Sequence, residues 1–204
     1  MRQFQGDYTN KLKFFVMPRL FTAIKIPNKI ASLLELRQVG IANARFIDKN
    51  DFHITLCFIG DIDEILAQQI THVFEKIKFG EPFELEIDRL DVFGHKKPRA
   101  LIANIKQNEA LTQLRNTLLH KLQLLGIEIE ARKFTPHITL ARFSYYRANS
   151  KREQKNKSDE IANYLAINNF TKPLSFTVDN YCVFSAKPSI GGGPYIIEQC
   201  YYLT

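Results

Sequence analysis

One tetrapeptide occurs twice in this chain and constrains its fold more than any other feature. The residues His-Ile-Thr-Leu at 53–56 recur at 137–140, and an aromatic residue lies within three positions before each copy, Phe52 and Phe134. Their β-branched and apolar composition favours a strand at both places. An internal repeat of this kind predicts two similar lobes, each of which contributes one strand.

The alternation of side chains along a strand predicts what each copy presents. Successive side chains point to opposite faces, so the Ile and Leu of each copy would enter a core while the His and Thr point away from it. The first copy then presents His53 beside Thr55, and the second presents His137 beside Thr139. Two such strands that meet across a cleft would surround one small ligand with two imidazoles and two hydroxyls.

This set of groups favours acid–base chemistry on a phosphoryl group. An imidazole has an unperturbed pKa near 6.5, so near neutral pH one ring can be neutral and the other protonated. The pair can then act as general base and general acid, while the Thr hydroxyls donate to phosphoryl oxygens. Such chemistry needs no side-chain nucleophile, no metal and no cofactor.

Two other interpretations of the histidines stay open at this level. They could be structural residues that hydrogen-bond to the neighbouring Thr hydroxyls, although two identical copies make this less favourable than one copy would. They could also bind a metal ion, because Asp51 lies on the predicted face of His53. Two histidines with so few carboxylates form a poor zinc site, so metal binding is the weaker interpretation.

The composition is that of a globular protein, and its charge slightly favours an anionic partner, although many basic proteins bind no nucleic acid. Hydrophobic residues make up 45% of its 204 residues, and the formal net charge is +7. A positive surface attracts polyanions such as RNA. The three cysteines form no CxxC pair, so reduced thiols in a cytoplasmic protein are expected. No apolar run approaches the length of a membrane span, and we expect a monomer without membrane association.

The order of the predicted elements indicates an α+β fold with mixed or antiparallel sheets. Helices are predicted by apolar spacings of three and four over 28–39, 62–77 and 108–125, with a short one over 158–167. Strands are predicted over 20–26, 44–47, 52–59, 83–93, 100–105, 134–143, 174–184 and 195–203. Residues 1–18 are predicted to be a tail, and 19–204 one domain of two lobes.

At these residues the sequence resembles the 2H phosphoesterase superfamily, and within it the RNA 2′,3′-cyclic phosphodiesterases, also called 2′–5′ RNA ligases. That superfamily is defined by two His-x-Thr/Ser-x motifs. The resemblance extends to the segments around them, over about residues 19–203: the opening strand 20–24 with Pro27, Phe-Ile-Gly at 58–60, the hairpin residues 93–94 and 98–101, Pro136, Ala-Arg at 141–142, and Ser185 with 192–193 and Tyr195.

The resemblance implies a bilobal fold, in which two pseudo-symmetric antiparallel sheets line a central groove and helices lie outside. It implies that His53 is the proton donor to the departing 3′-oxygen and that His137 is the proton acceptor from water. Thr55, Thr139 and Arg142 would bind the phosphate, and Phe58 would contact a base. Strict alternation, however, puts Arg142 and Phe58 on the apolar face, where Phe58 would simply pack in the core, unless each strand twists or bulges.

The resemblance implies hydrolysis of RNA 2′,3′-cyclic phosphate ends to 2′-phosphates, with 2′–5′ ligation as the reverse reaction. Two alternatives are a 2H phosphodiesterase that acts on 2′–5′ oligonucleotides or small cyclic nucleotides, and a non-catalytic RNA-binding module. The basic residues of 144–160 suggest a surface loop that contacts RNA phosphates or only solvent. His72 and His120 fall in predicted helices as surface or packing residues, and His95 falls in a basic turn with 96–99.

Overall fold

The protein alternates strands and helices in the order expected of an α+β fold. A computed structural model describes residues 19–42, 44–94, 98–129, 133–143, 151–186 and 195–204, without the side chains of 151–158. Its strands are β1 Arg19–Lys25, β2 Ala44–Phe46, β3 His53–Asp61, β4 Phe83–Phe93, β5 Ala100–Ile105, β6 His137–Phe143, β7 Leu174–Val178, β8 Asn180–Ala186 and β9 Tyr195–Tyr202. Its helices are α1 Asn28–Glu35, α2 Glu64–Glu75, α3 Glu109–Leu124 and α4 Lys151–Asn168.

The strands form one antiparallel sheet with the repeated tetrapeptides at its centre. The strand order is β7-β4-β5-β6-β3-β1-β8-β9, and β2 pairs with β6 outside this path. β3 and β6 meet through the pair Ile54–Ile138, the second residue of each tetrapeptide. The antiparallel bilobal prediction is therefore confirmed, with one correction: the two predicted sheets are four-stranded halves of a continuous sheet, because β3 and β6 pair before they diverge.

The segment predicted as one strand over 174–184 is two strands that serve different halves of the sheet. β7 pairs with β4, whereas β8 pairs with β1. The chain crosses between the halves at Asp179, where the strand pairing changes. The pair Asp179-Asn180 interrupts the apolar and β-branched residues at the break, and such polar residues are typical of turns, so the prediction of one strand overlooked a signal in the sequence.

The helices cover the face of the sheet opposite the histidines. In α3, Leu111, Leu114, Leu118 and Leu122 are fully buried at spacings of three and four, which form one apolar stripe. The hydrophobic core in which these leucines pack also contains Ile54 and Ile138. Side-chain caps begin two helices: Asp63 accepts from Leu66 N at 2.8 Å in α2, and Asn108 accepts from Leu111 N at 2.9 Å in α3.

The cysteines correct the expectation of three reduced thiols. Cys182 in β8 lies directly opposite Cys200 in β9, and the two form a disulfide. Cys57 is free and buried. Their 18-residue separation in sequence gives no indication of this pairing, since it depends on the register of the last hairpin.

The basic segment after β6 is in part helical. α4 begins at Lys151 and continues through the predicted short helix to Asn168, so the second half of this segment is no loop. Residues 144–150 and the tail 1–18 lie outside the described residues. In the part of the chain that the structure describes, no helix combines the length and the apolar character needed to cross a membrane.

Candidate active site

The same backbone contact orients both histidines of the repeat. His53 Nδ1 lies 2.7 Å from the carbonyl oxygen of Asp51, and His137 Nδ1 lies 2.7 Å from that of Thr135. A carbonyl oxygen can only accept, so each Nδ1 carries the hydrogen. In the neutral ring the lone pair is then on Nε2. Both imidazoles therefore present the same nitrogen for proton transfer.

The strand register brings the two tetrapeptides together around a pseudo-two-fold axis. Because Ile54 pairs with Ile138 in antiparallel strands, continuing the register by one residue sets His53 toward Thr139 and Thr55 toward His137. All four side chains are half-buried, between the buried apolar residues of the same strands. The charge of His137 acts on His53, which shows that the two rings lie within electrostatic reach of each other.

A β-bulge interrupts each of these strands at the same position of the repeat. In the pairing of β1 with β3, Ala23 is opposite Thr55 and the preceding Thr22 is opposite Cys57, so Leu56 has no partner in β1. In the pairing of β5 with β6, Ile102 is opposite Thr139 and the preceding Leu101 is opposite Ala141, so Leu140 has no partner in β5. A bulge adds one residue to one strand and so reverses the phase of the side chains that follow.

The bulges decide the position of Phe58 and Arg142. Beyond Leu56 the phase changes, so Phe58 emerges on the histidine face with 67% of its surface exposed. Beyond Leu140 the phase changes likewise, and Arg142 emerges exposed on the same face. Strict alternation predicted both residues on the apolar face, and core packing was the alternative for Phe58. Both of these expectations are wrong, because they assume an uninterrupted strand.

Hydrogen bonds from other parts of the chain stabilise both bulges. The Thr22 hydroxyl, fully buried in β1, accepts from Cys57 N at 3.1 Å just after Leu56. At the second bulge, the Leu140 carbonyl accepts from Gln38 Nε2 at 2.8 Å and from Ile47 N at 2.9 Å. The backbone groups that a bulge removes from the ladder thus find partners from distant parts of the chain.

Aromatic rings surround His53. The ring centroids of Phe21 and Tyr195 lie 5.1 and 5.0 Å from that of His53, and Phe184 lies at 6.0 Å. Asp51 accepts from Tyr195 N at 3.1 Å, which ties the start of β9 to this site. The repeat alone does not predict these neighbours, although Phe21 and Tyr195 lie in segments that carry the family resemblance.

His137 has one described aromatic neighbour, Phe93 at the end of β4. Its ring lies edge-on to His137 with centroids 4.6 Å apart. The two halves of the site therefore share the same backbone arrangement but differ in the side chains around the histidine. The half that contains His53 has the larger aromatic cluster.

Burial lowers the pKa of both histidines below 6.5. For His53 the hydrogen bond and the charge of Asp51 raise the pKa, but they do not outweigh desolvation. For His137 desolvation again dominates over the hydrogen bond to Thr135. The Arg142 charge lowers the pKa of both rings, which places this guanidinium within electrostatic reach of each. Near neutral pH the free protein therefore holds mainly neutral imidazoles.

The remaining histidines do not join the site. His72 and His120 are exposed on α2 and α3, and His95 lies outside the described residues. Within the described ranges of the chain, no three His, Cys, Asp or Glu side chains lie close enough together to hold a metal ion.

Comparison with solved structures confirms the fold. The crystal structure of TT0787 from Thermus thermophilus superposes with a TM-score of 0.71 at 19% identity, over 91% of this chain and 97% of that one. The crystal structure of E. coli LigT complexed with 3′-AMP gives a TM-score of 0.68 at 20% identity, over 92% and 99%.

Sequence comparison extends the similarity to named relatives. The RNA 2′,3′-cyclic phosphodiesterase of Bacillus subtilis strain 168 is 30% identical over 132 residues, 62% of this chain and 72% of that protein. That of Thermotoga maritima is 23% identical over 191 residues, 90% and 95%. A model of the 2′-5′ RNA ligase superfamily matches residues 35–187, well over half of the chain. The chain therefore belongs to the 2′-5′ RNA ligase superfamily, as its two tetrapeptides predicted.

Proposed function

We propose that this protein hydrolyses the 2′,3′-cyclic phosphate end of RNA to a 2′-phosphate by acid–base catalysis between His53 and His137. The observation that carries this proposal is the symmetry of the pair. Two half-buried imidazoles, fixed in one tautomer by identical contacts, meet at the centre of the sheet. Similar proteins named RNA 2′,3′-cyclic phosphodiesterase support the choice of substrate.

The proposed reaction transfers two protons. Neutral His137 accepts a proton from water on Nε2 as the water oxygen attacks phosphorus. The bond between phosphorus and the 3′-oxygen breaks, and protonated His53 donates its Nε2 proton to that oxygen. The products are a 2′-phosphate and a free 3′-hydroxyl, and the two rings return to their starting states by proton exchange with solvent.

The charges around the rings support this assignment. The Asp51 carboxylate raises the pKa of His53, which favours the protonated form there. Among the described residues, the charge that acts on His137 is that of Arg142, which lowers its pKa and favours the neutral base. The bound phosphate is itself an anion and raises the pKa of a ring beside it. Substrate binding would thus raise the pKa of His53 and favour the protonated ring, which is the minor form in the free protein.

The neighbouring polar groups are suited to the transition state. Thr55 and Thr139 hydroxyls can each donate a hydrogen bond to a phosphoryl oxygen, and the Arg142 guanidinium can stabilise the charge that develops there. Donors fixed on strands need little reorganisation during the reaction. The exposed ring of Phe58, 6.0 Å from that of Phe21, offers a surface on which a base can stack.

The same groups can also catalyse ligation when the nucleophile is a hydroxyl of RNA. If the 5′-hydroxyl of a second RNA takes the place of water, His137 deprotonates it and attack on the cyclic phosphate leaves a 2′–5′ linkage. No new group is needed, because the departing 3′-oxygen again takes its proton from His53. Ligation is therefore a secondary activity that we propose for the same site.

The test is to incubate the protein with a short RNA that ends in a 2′,3′-cyclic phosphate, with and without EDTA, and to identify the product. We expect equal rates in both conditions and a 2′-phosphate end. Loss of activity with chelator, restored by a divalent metal, would contradict acid–base catalysis without metal. A 3′-phosphate product would contradict the proposed leaving group.

A further inference from the structure

The side-chain amide of Gln38 holds the second bulge from outside the sheet. Its Nε2 donates to the carbonyl oxygen of Leu140, the extra residue of β6, at 2.8 Å and to that of Ile47 at 2.7 Å. An amide nitrogen carries two hydrogens, so these two bonds use both of them. Ile47 N donates to the same Leu140 oxygen at 2.9 Å. Gln38 therefore ties the end of β2 to the bulge in β6.

The backbone around Gln38 is itself held by two helices. Gln38 lies in the turn after α1, where its N–H donates to the carbonyl of Glu35 at 2.9 Å. The N–H of the preceding residue, Arg37, donates to the carbonyl of the fully buried Leu34. The carbonyl of Arg37 accepts from the Tyr164 hydroxyl of α4. A side chain on such a support loses little further conformational entropy when it bonds to the bulge.

The bulge at Leu140 determines where the Arg142 guanidinium lies. Arg142 follows the bulge by two residues and is exposed on the histidine face. A strand without the extra residue would turn Arg142 toward the core, where an unpaired charge is costly. The two hydrogen bonds of Gln38 therefore favour the register in which the Arg142 charge acts on both histidines.

The first bulge is held in another way. There the Thr22 hydroxyl of the neighbouring strand accepts from Cys57 N, and the residue that emerges is the aromatic Phe58. Gln38 thus bonds to the bulge that presents a cation and not to the bulge that presents a ring. Its support is specific to the Arg142 half of the site.

We propose that Gln38 is a positioning residue for Arg142 and, through Arg142, for the bound phosphate. This inference rests on the proposed function, in which Arg142 binds the cyclic phosphate. Gln38 follows α1, which packs against the core on the face opposite the histidines, so it acts through the Leu140 carbonyl and not by touching substrate. Without its two donors the end of β6 loses the bulged register, and the guanidinium leaves the neighbourhood of the two rings.

The test removes the donors of Gln38 and follows Arg142 through the histidines. Gln38→Met has a similar size and no donor, whereas Gln38→Asn keeps the amide but withdraws it by one methylene. An NMR titration of free Gln38→Met should show a raised pKa for both His53 and His137, because a positive charge moves away from them. Gln38→Asn should show smaller shifts in the same direction. Gln113→Met, the same substitution at an exposed position of α3, should shift neither.

A double-mutant cycle with Arg142→Gln shows whether Gln38 acts through that guanidinium. On an RNA that ends in a 2′,3′-cyclic phosphate, we expect Gln38→Met alone to lower kcat/KM about tenfold. In the Arg142→Gln background the same substitution should have little effect on kcat/KM and on both histidine pKa values, since the group that Gln38 positions is then absent.

Two outcomes would overturn the proposal. If Gln38→Met and Gln38→Asn leave both pKa values unchanged, Gln38 does not position Arg142. If Gln38→Met lowers kcat/KM by the same factor with and without the arginine, it acts on the fold as a whole. Should Gln38→Met fail to fold, Gln38→Asn carries both measurements.

The titration also separates this proposal from the proposed function, because it uses the free protein. If the wild-type protein hydrolyses no cyclic phosphate, the proposed function fails. Raised pKa values in Gln38→Met would then still show that Gln38 holds Arg142 beside the histidines, and unchanged values in an active protein would overturn the positioning role alone.

Discussion

At the scale of residues, the chemistry of this site depends on the phase of two strands. His53 and Thr55 follow simple alternation, and so do His137 and Thr139, so the sequence predicts their shared face. Arg142 does not follow it, because Leu140 is an extra residue in the strand. One displaced residue thus decides whether a guanidinium enters the core or stands beside two imidazoles.

The position of Arg142 has a consequence for proton binding by the free protein. Because its charge lowers the pKa of both histidines, Arg142→Gln should raise the pKa of His53 and of His137 together. An NMR titration of the imidazole signals measures both values in one experiment. Lys172→Gln is the control, because it removes one exposed positive charge just before β7, at the far edge of the sheet. It should leave the pKa of both histidines unchanged. If Arg142→Gln shifts neither ring, or lowers the pKa of either, Arg142 does not stand on the histidine face.

At the scale of elements, the sequence predicts most helices and strands but not the bulges. Periodicity locates α2, α3, β3, β4 and β6 to within a few residues, because burial of one face sets the spacing of apolar residues. The bulge at Leu56 leaves no such pattern, since its stabilising partner Thr22 lies 35 residues before Cys57 in the chain. The disulfide is likewise a property of strand pairing, whereas Asp179 and Asn180 mark the split between β7 and β8 in the sequence.

Thr22 provides a direct test of how the first bulge is held. Thr22→Val keeps the shape of the side chain but removes the oxygen that accepts from Cys57 N, and it leaves a buried amide without a partner. We expect a loss of about 1–3 kcal/mol in the free energy of unfolding, measured by denaturant titration. Thr22→Ser keeps the hydroxyl and should lose less. Equal stability of Thr22→Val and the wild type would show that the amide does not depend on this bond.

At the scale of the whole molecule, the fold brings β3 and β6, the two strands that carry the repeated tetrapeptide, next to each other. Each half of the sheet is four strands wide and has its tetrapeptide on the inner strand, so the single pair Ile54–Ile138 joins the halves and also centres the site. The sequence repeat predicts the two lobes. It does not predict their contact, because β3 and β6 are far apart in the chain and no turn connects them to set their register.

The symmetry is limited to the backbone and to the two histidines with their neighbouring threonines. One half adds an aromatic cluster around His53, and the other adds Arg142. An RNA end has a base and a phosphate on different sides, so an asymmetric lining on a symmetric pair suits such a ligand. The division of roles that we propose for His53 and His137 rests on this difference in surroundings.

The central claim is that His53 and His137 each transfer one proton in the same reaction. It is tested most directly by kcat/KM on a 2′,3′-cyclic-phosphate RNA for His53→Ala, His137→Ala and the double variant. His120→Ala, which removes an exposed histidine of α3, is the control and should match the wild type. We predict that each single variant loses about 10²–10⁴-fold. We also predict that the double variant loses little more than the slower single variant, because groups that act as a unit are not additive. Near-wild-type activity in either single variant would contradict the paired mechanism.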